Sequence, residues 1–523
     1  MQLNYAIKFF TNINELTALP ASINICTQYI VLLRKSQLFG SYQLILEDRG
    51  VWSNYSFLIL ILCIKFENML INTRKVCLLL SRQYTTKAKR SLLMQDKSKI
   101  LTYTPKVSDP KKRRVYAWGF QETGALGLQT NIKKSKERYT EMVHHPTRMQ
   151  FSVNTDISDI AAGYGFSAFA VERSDGQTLF GSGLNTDSQL GFQVKGTFKD
   201  PKKLDVLIYP TPINLPRLEH ETDADMKIRC MSAGRAHLVV VTQNGTIFSM
   251  GNNSYGQCGR AIIENEDYRG SALIHRIYEK EICGGNDDIV SVVCGQDHTM
   301  FLTRLGSVYT CGWGADGQTG KGNYETNGVI AQAKGDINGE HIVKLACASD
   351  CVLAINEKGD VFGWGNSEYG QLDDSENAET QVSTPRALAL TKGIGKIQDI
   401  AAGGSFCMAL NEEGLVYTWG YGILGFGPYV EQTSKPQQLL PPLFGRNDFS
   451  DQTTVVSIGC GVFHMGAINS DGDLFMWGKN RFGHLGLGHK KDQFFPFKTA
   501  VNGKVIKVAF GVDHTLALCR PFM

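Results

Sequence analysis

The chain has 13 cysteines in 523 residues, but no C-x-x-C pair and no Cys/His set at zinc-ligand spacing. A structural zinc finger and a redox dithiol motif are therefore not expected. Also missing are a G-x-S-x-G turn, a phosphate-binding G-x-x-x-x-G-K loop and a paired-carboxylate signature. Those arrangements activate a nucleophile, cradle phosphates or share a proton. Bond-making catalysis, a cofactor, a metal and a small-molecule substrate are accordingly not expected. The apolar run SFLILILCI, from Ser56, has nine residues, whereas a helix that crosses a bilayer takes about 20. Tryptophan is scarce, with six in the chain, and its placement is the most informative feature.

Five of the six tryptophans precede a glycine: Trp118-Gly119, Trp313-Gly314, Trp364-Gly365, Trp419-Gly420 and Trp477-Gly478. Two further copies keep the pattern with Ser182-Gly183 and Met250-Gly251. These seven positions are 51–68 residues apart, a periodicity that marks a repeat architecture. Each copy has the same grammar, as in VVCGQDHTMFLTRLGSVYTCGWGADGQTG from Val292. An apolar strand ends in a small residue and Gly. Two variable residues and a His-type position follow, then an alternating strand, a tight turn, a strand ending in Trp-Gly and a Gly-rich loop.

The segments TIFSMG, SVYTCGWG, DVFGWG and LVYTWG alternate and are rich in β-branched and aromatic residues, which predicts strands. The turns between paired strands carry Gly176, Gly245, Gly306, Gly359, Gly414 and Gly472, where Gly supplies the positive φ of a tight hairpin. Seven units of about four short antiparallel strands predict an all-β, seven-bladed β-propeller, because a lone blade cannot bury its own faces. The chain ends on a half-unit, VIKVAFGVDHTLALCR, and the repeats open on the complementary half, VYAWGFQETGALGL, from Val115. Pairing the two closes the ring and removes its open edges. Residues 115–523 are thus expected to form one propeller.

The His-type positions hold Phe166, His237, His298, Cys351, Phe406, His464 and His514. A position that accepts Phe is structural, and residues in different blades do not assemble a metal site. Cys294, Cys347 and Cys460 take the small-residue position before the repeat Gly, which Ala348 replaces in one copy; they read as packed thiols, not a disulfide framework. His144-His145 reads as solvated within a long polar loop. Residues 129–150, 192–227 and 260–288 read as insertions, the expected partner-specific surfaces of a rigid scaffold.

Charge is uneven. Residues 1–84 carry eight Lys/Arg and four Asp/Glu, and residues 85–114 carry ten and two. With a total of +4, the repeat region is left at about −8, a bulk field that does not attract nucleic acid. Residues 69–95 contain six Lys/Arg and no acid, the composition of a mitochondrial transit peptide. Arg82 stands two residues before Tyr84, where a matrix protease site is expected. Residues 69–84 are read as the transit peptide and 85–114 as a basic linker. Residues 1–68 show neither repeat nor amphipathicity and are read as an upstream extension. PKKRRV at residues 110–115 has the form of a short nuclear-import signal.

On the Trp-Gly strands, the Gly-Gln-Leu/Thr-Gly loops and G-x-x-H-T at residues 295–299 and 511–515, the repeats resemble the regulator of chromosome condensation family, over residues 115 to about 520. The founding member of that family is a nuclear guanine-nucleotide exchange factor for the GTPase Ran, with exchange residues in the variable pair before the His position. Carried over by resemblance, the family's acid matches Asp297. A second falls at Arg235, a charge reversal, and the family's histidine falls at Ser405. These three are the candidate partner-binding residues, and the reversal argues against Ran exchange. A transit peptide followed by V-x-x-W-G and G-A-L-G resembles the mitochondrial branch of the family. That resemblance implies a matrix scaffold in large-subunit rRNA modification, including pseudouridylation, ribosome assembly and translation. It implies as the alternative an exchange factor for a dynamin-like fusion GTPase, with peripheral inner-membrane association.

Overall fold

The computed structural model describes residues 112–128, 141–173, 175–197, 200–373 and 379–522. The expected upstream extension, transit peptide and nearly all of the basic linker lie outside these residues. The described chain forms seven four-stranded antiparallel sheets, the blades of a propeller. Blade 1 uses Asp156–Ala162, Phe166–Glu172, Leu179–Leu184 and Val206–Pro212. Five contiguous blades follow, and blade 6 ends with Gln493–Thr499. Blade 7 is composite: Gly503–Phe510 and His514–Pro521 pair with Arg114–Phe120 and Met142–Arg148 from the other end of the repeats. The expected closure is present, and its first strand starts one residue earlier than Val115. Arg114 lies opposite Cys519 and Gly119 opposite His514.

The hairpin glycines behave as their positions demand. Gly176, Gly245, Gly306, Gly359, Gly414 and Gly472 have φ between 76° and 87°, a region L-residues avoid. The first strands of the blades face the centre, where Val293, Ala346, Ala401 and Val508 line a cavity of about 300 Å³. The second strands are buried almost throughout, for instance His237–Thr242 and His298–Thr303. Apolar side chains of neighbouring blades merge into shared clusters, such as Leu302, Leu345 and Leu353. This stacking supplies the burial no single blade has.

The Trp-Gly strand performs two tasks. Its Gly stands opposite the His-type residue of the preceding strand, as Gly365 opposite Cys351 and Gly478 opposite His464. A Cβ on Gly478 would come within 2.7 Å of His464 Cα, so no side chain fits. The Trp ring is buried between blades, and in three copies its indole N–H donates to a loop carbonyl of the blade before. Trp118 donates to His484 (2.7 Å), Trp364 to Gln318 (2.9 Å) and Trp419 to Gln371 (2.8 Å).

One copy departs from the expected register. The residue opposite His298 is Gly312, not Gly314, and Cys311 fills the place of the buried Trp. Cys311 is fully buried and its thiol points to the Gln257 carbonyl at 3.9 Å, the acceptor a Trp would have used. Trp313 stands one residue beyond, half-buried at the rim. The dipeptide Trp313-Gly314 imitates the motif two residues late. Two other sequence expectations also change. His144 and His145 are not in a loop but on Met142–Arg148, the outer strand of blade 7, against Gly483 and Gly488. The three presumed insertions each contain their blade's outermost strand: Met142–Arg148, Val206–Pro212 and His275–Tyr278. An outer strand half exposed to water lacks the apolar period that marks the inner three.

Candidate partner-binding face

The His-type residues open the second strand of every blade and are all buried. All four histidines reach across to the following blade, His298 through its Nε2 contact with Cys347 Sγ at 3.7 Å. His237 Nε2 meets Thr299 Oγ1 at 3.1 Å, His464 Nε2 meets Thr515 Oγ1 at 3.4 Å, and His514 Nε2 meets Ser167 Oγ at 2.9 Å. Thr299 donates its own proton to the Gln257 carbonyl (2.7 Å) and Thr515 donates to His484 (2.8 Å). In those two pairs the imidazole Nε2–H must therefore be the donor, which fixes a neutral tautomer. Burial pushes the pKa of His237 and His298 down to about 3, so neither titrates near neutrality. These side chains tie blades together.

The two variable residues before this position lie on one face of the ring, with the loops that follow the Trp-Gly strands. Here Arg235 of blade 2 and Asp297 of blade 3 meet. Arg235 Nη2 lies 2.6 Å from Asp297 Oδ2, and Nε donates to Oδ1 at 3.2 Å. The backbone supports the pair, since Arg235 N donates to the Gln296 carbonyl (2.9 Å). Gln257 Nε2 approaches the same carboxylate at 3.4 Å. Asp297 is 7% exposed. Burial pushes its pKa up to about 6 against the pull of Arg235, and the nearby Asp350 adds to the rise. Asp350, also raised by burial, accepts from Gln318 Nε2 (3.0 Å) and Ser349 Oγ (3.2 Å). Ser405 belongs to blade 5 and donates to the Tyr421 carbonyl (2.8 Å). Thus two of the three candidate residues form one unit, and Ser405 stands apart.

The face carries aromatic pairs that the sequence reading missed. At three junctions the residue before the loop Gly meets the residue after the conserved Gly of the next blade. Tyr255 packs edge-on against Trp313 (4.6 Å between centroids), Tyr369 stacks on Tyr421 (5.0 Å, 12°) and Phe482 packs on Phe120 (5.0 Å). At another junction the same two positions hold Asp187 and Asn252, hydrogen-bonded at 2.9 Å. The signal was present as a pairing of two fixed repeat positions one blade apart, which no single-repeat alignment displays. Among the described residues no group of three or more His, Cys, Asp or Glu is placed to hold a metal ion.

Three stretches match family models. Residues 272–521 match the RCC1-like domain, and residues 114–170 and 228–257 match the regulator of chromosome condensation (RCC1) repeat. Over 416 residues the chain is 42% identical to the RCC1-like G exchanging factor-like protein of Mus musculus, covering 78% of this chain and 88% of that one. The chain belongs to the RCC1-like family. The Homo sapiens protein of the same description is 41% identical over 78% of this chain and 87% of its own. The crystal structure of human WBSCR16 superposes with a TM-score of 0.71 at 40% identity, over 79% of this chain and all of that one. Prp20p of Saccharomyces cerevisiae, described with its binding properties to Gsp1p and histones, shares the fold at 18% identity and a TM-score of 0.61, over 79% of this chain and 92% of that one. RCC1-like propellers are exchange factors or regulators, not bond-making enzymes.

Proposed function

We propose that this RCC1-like propeller is a mitochondrial scaffold. Its loop face docks proteins of a module that modifies large-subunit rRNA, including its pseudouridylation, and thereby supports ribosome assembly and translation. The observation that carries this reading is the closed Arg235–Asp297 pair. An exchange factor works by presenting groups that displace the phosphates or Mg²⁺ of its GTPase. Here the acid at the exchange position is buried and already held by two bonds to a guanidinium. What remains on the face is a rigid array of aromatic pairs, the chemistry of protein docking. The acid-free basic stretch at residues 69–95 supports the mitochondrial address. The nuclear-import reading of residues 110–115 loses ground, because Arg113 and Arg114 donate to the Ser158 (2.7 Å) and Ser152 (3.0 Å) carbonyls. Val115 is fully buried.

The second reading is guanine-nucleotide exchange on a dynamin-like GTPase of inner-membrane fusion, with peripheral membrane association; the description of the 42% identical relative favours it. Among the described residues no helix is long and apolar enough to cross a membrane. Crosslinked affinity purification from mitochondria separates the two. Large-subunit rRNA recovered with pseudouridine synthases or assembly factors supports the scaffold. A GTPase recovered in its nucleotide-free state, with exchange lost in Asp297→Ala, supports the alternative.

A further inference from the structure

Between the third and fourth strands of blade 1 the chain makes a separate two-stranded ribbon, Val194–Thr197 paired with Asp200–Lys203. Its register places Lys195 opposite Lys202 and Val194 opposite Lys203. Residues opposite each other share a face, and successive residues alternate faces. One face therefore carries Val194 and Lys203, the other Lys195 and Lys202. The first face is anchored. Lys203 Nζ donates to the Arg269 carbonyl at 3.0 Å, and its stem lies over Gly270. Arg269 in turn pairs with Asp205 (2.5 Å) at the ribbon's root, and Leu204 N donates to Gln193 O (3.0 Å). The second face points away from this anchor, and both of its lysines are exposed. Among the described residues neither has an ion-pair partner.

This arrangement is unfavourable in isolation. Like charges directly opposite destabilise a strand pair, and a two-stranded ribbon has little stability of its own. It also stands on a propeller whose net charge is about −8, so the lysine face is a local exception to the bulk field. An external anion would relieve the repulsion. We propose that the Lys195/Lys202 face is an RNA-binding arm that contacts the phosphodiester backbone. An anionic membrane would call for a broad apolar face beside the lysines, whereas the opposite face carries only Val194 next to Lys203, which is bonded to the Arg269 carbonyl. This inference rests on the rRNA reading given above and adds that the propeller touches RNA itself.

The test compares the full chain with the double variant Lys195→Glu/Lys202→Glu, and with the control Lys392→Glu/Lys396→Glu, which makes the same charge change elsewhere. The probe is a labelled mixed-sequence single-stranded RNA of about 20 nucleotides, with anisotropy read from about 50 to about 300 mM KCl. The ribbon variant is expected to bind about tenfold more weakly or worse, with a salt slope reduced by roughly 1.4, or 0.7 for each phosphate no longer neutralised by a lysine. The control is expected to bind as wild type does. Thermal melts establish that each variant is folded. Equal affinity and slope for ribbon variant and wild type overturn the proposal, as does wild-type binding to phosphatidylglycerol vesicles without binding to RNA. In mitochondria the ribbon variant should lose crosslinks to large-subunit rRNA while keeping its protein partners. If wild type binds the oligonucleotide but recovers no large-subunit rRNA, the rRNA reading fails and the RNA-binding arm stands.

Discussion

At Gly295 an added Cβ would stand 2.1 Å from Cε1 of His298, and at Gly234 it would stand 2.2 Å from Cε1 of His237. Gly163, Gly403, Gly461 and Gly511 are filled in the same way by Phe166, Phe406, His464 and His514. The repeat Gly before each variable pair is thus the seat of the following ring. Blade 4 departs at both positions together: it has Ala348 where the others have Gly, and Cys351 where they have a ring. Cys351 leaves the space that Ala348 uses and instead approaches Cys407 at 3.8 Å between sulfurs. Gly295→Ala is therefore expected to cost about 2 kcal/mol, the range for an overpacked core. Cys351→His alone should cost a similar amount, and adding Ala348→Gly should restore much of it. Thermal melts of the two single variants and the double read this non-additivity; strictly additive losses would refute the shared seat. Asp297 makes a different kind of prediction. Its carboxyl holds its proton more tightly folded, at a pKa of about 6, than in the unfolded chain. Its contribution to stability therefore falls as pH rises from about 4 to about 6 and is level above that. Asp297→Asn removes this titration. Relative to wild type the variant should gain about 2 kcal/mol between pH 4.5 and pH 7.5, read from unfolding at the two pH values. A constant difference between them would show that burial does not govern this carboxyl.

The Trp-Gly strand shows how far a motif can be read and where it misleads. Its spacing is enough to give the number of blades, the strand pairing and the closing blade, because each follows from periodicity and from the two unmatched halves. The Trp313-Gly314 copy misleads because the dipeptide is repeated by chance beside Cys311-Gly312, and register depends on which residue faces His298. The outer strands pass for insertions because they are only partly buried and lack the inner strands' apolar period, as in VLIYPTP of blade 1. The candidate site is legible only in part. Arg235 and Asp297 are found through their repeat positions, but their bond depends on the angle between adjacent blades, which a one-dimensional pattern does not contain. The corrected register has a direct consequence. Trp364→Ala removes a fully buried ring and the bond to Gln318, an expected loss of about 4 kcal/mol. Trp313 is half-buried, packs on Tyr255 and makes one long bond to Asp316 (3.4 Å), so Trp313→Ala should cost about 1 kcal/mol. Thermal melts that found the two losses equal would restore Trp313 to the inter-blade position.

Across the whole molecule, stability is held by a ring of equivalent junctions rather than by a single core. The last strand of the sequence, His514–Pro521, completes it by pairing with a strand that begins at Arg114, some 400 residues earlier in the chain. This pairing is the most non-local contact in the fold, and long-range β-pairing forms late because its loop-closure entropy must be met first. Six blades can assemble from local hairpins, whereas the seventh waits for both ends of the chain. Without it, blades 1 and 6 would each expose an apolar face: Ile157, Ile160 and Phe169 on one side, and Ile468, Leu474 and Met476 on the other, which blade 7 now covers through Leu516, Ala517 and Leu518. A chain that stops after Val501 keeps six complete blades and Arg114–Phe120, but not the two strands that hold the ring shut. It is expected to lose cooperative unfolding and to associate through those faces. Sedimentation velocity should show dimers or larger species, and thermal melts a broadened transition at lower temperature. A truncated chain that stayed monomeric and melted in one sharp step would mean that the blades are stable as an open array and that closure contributes little.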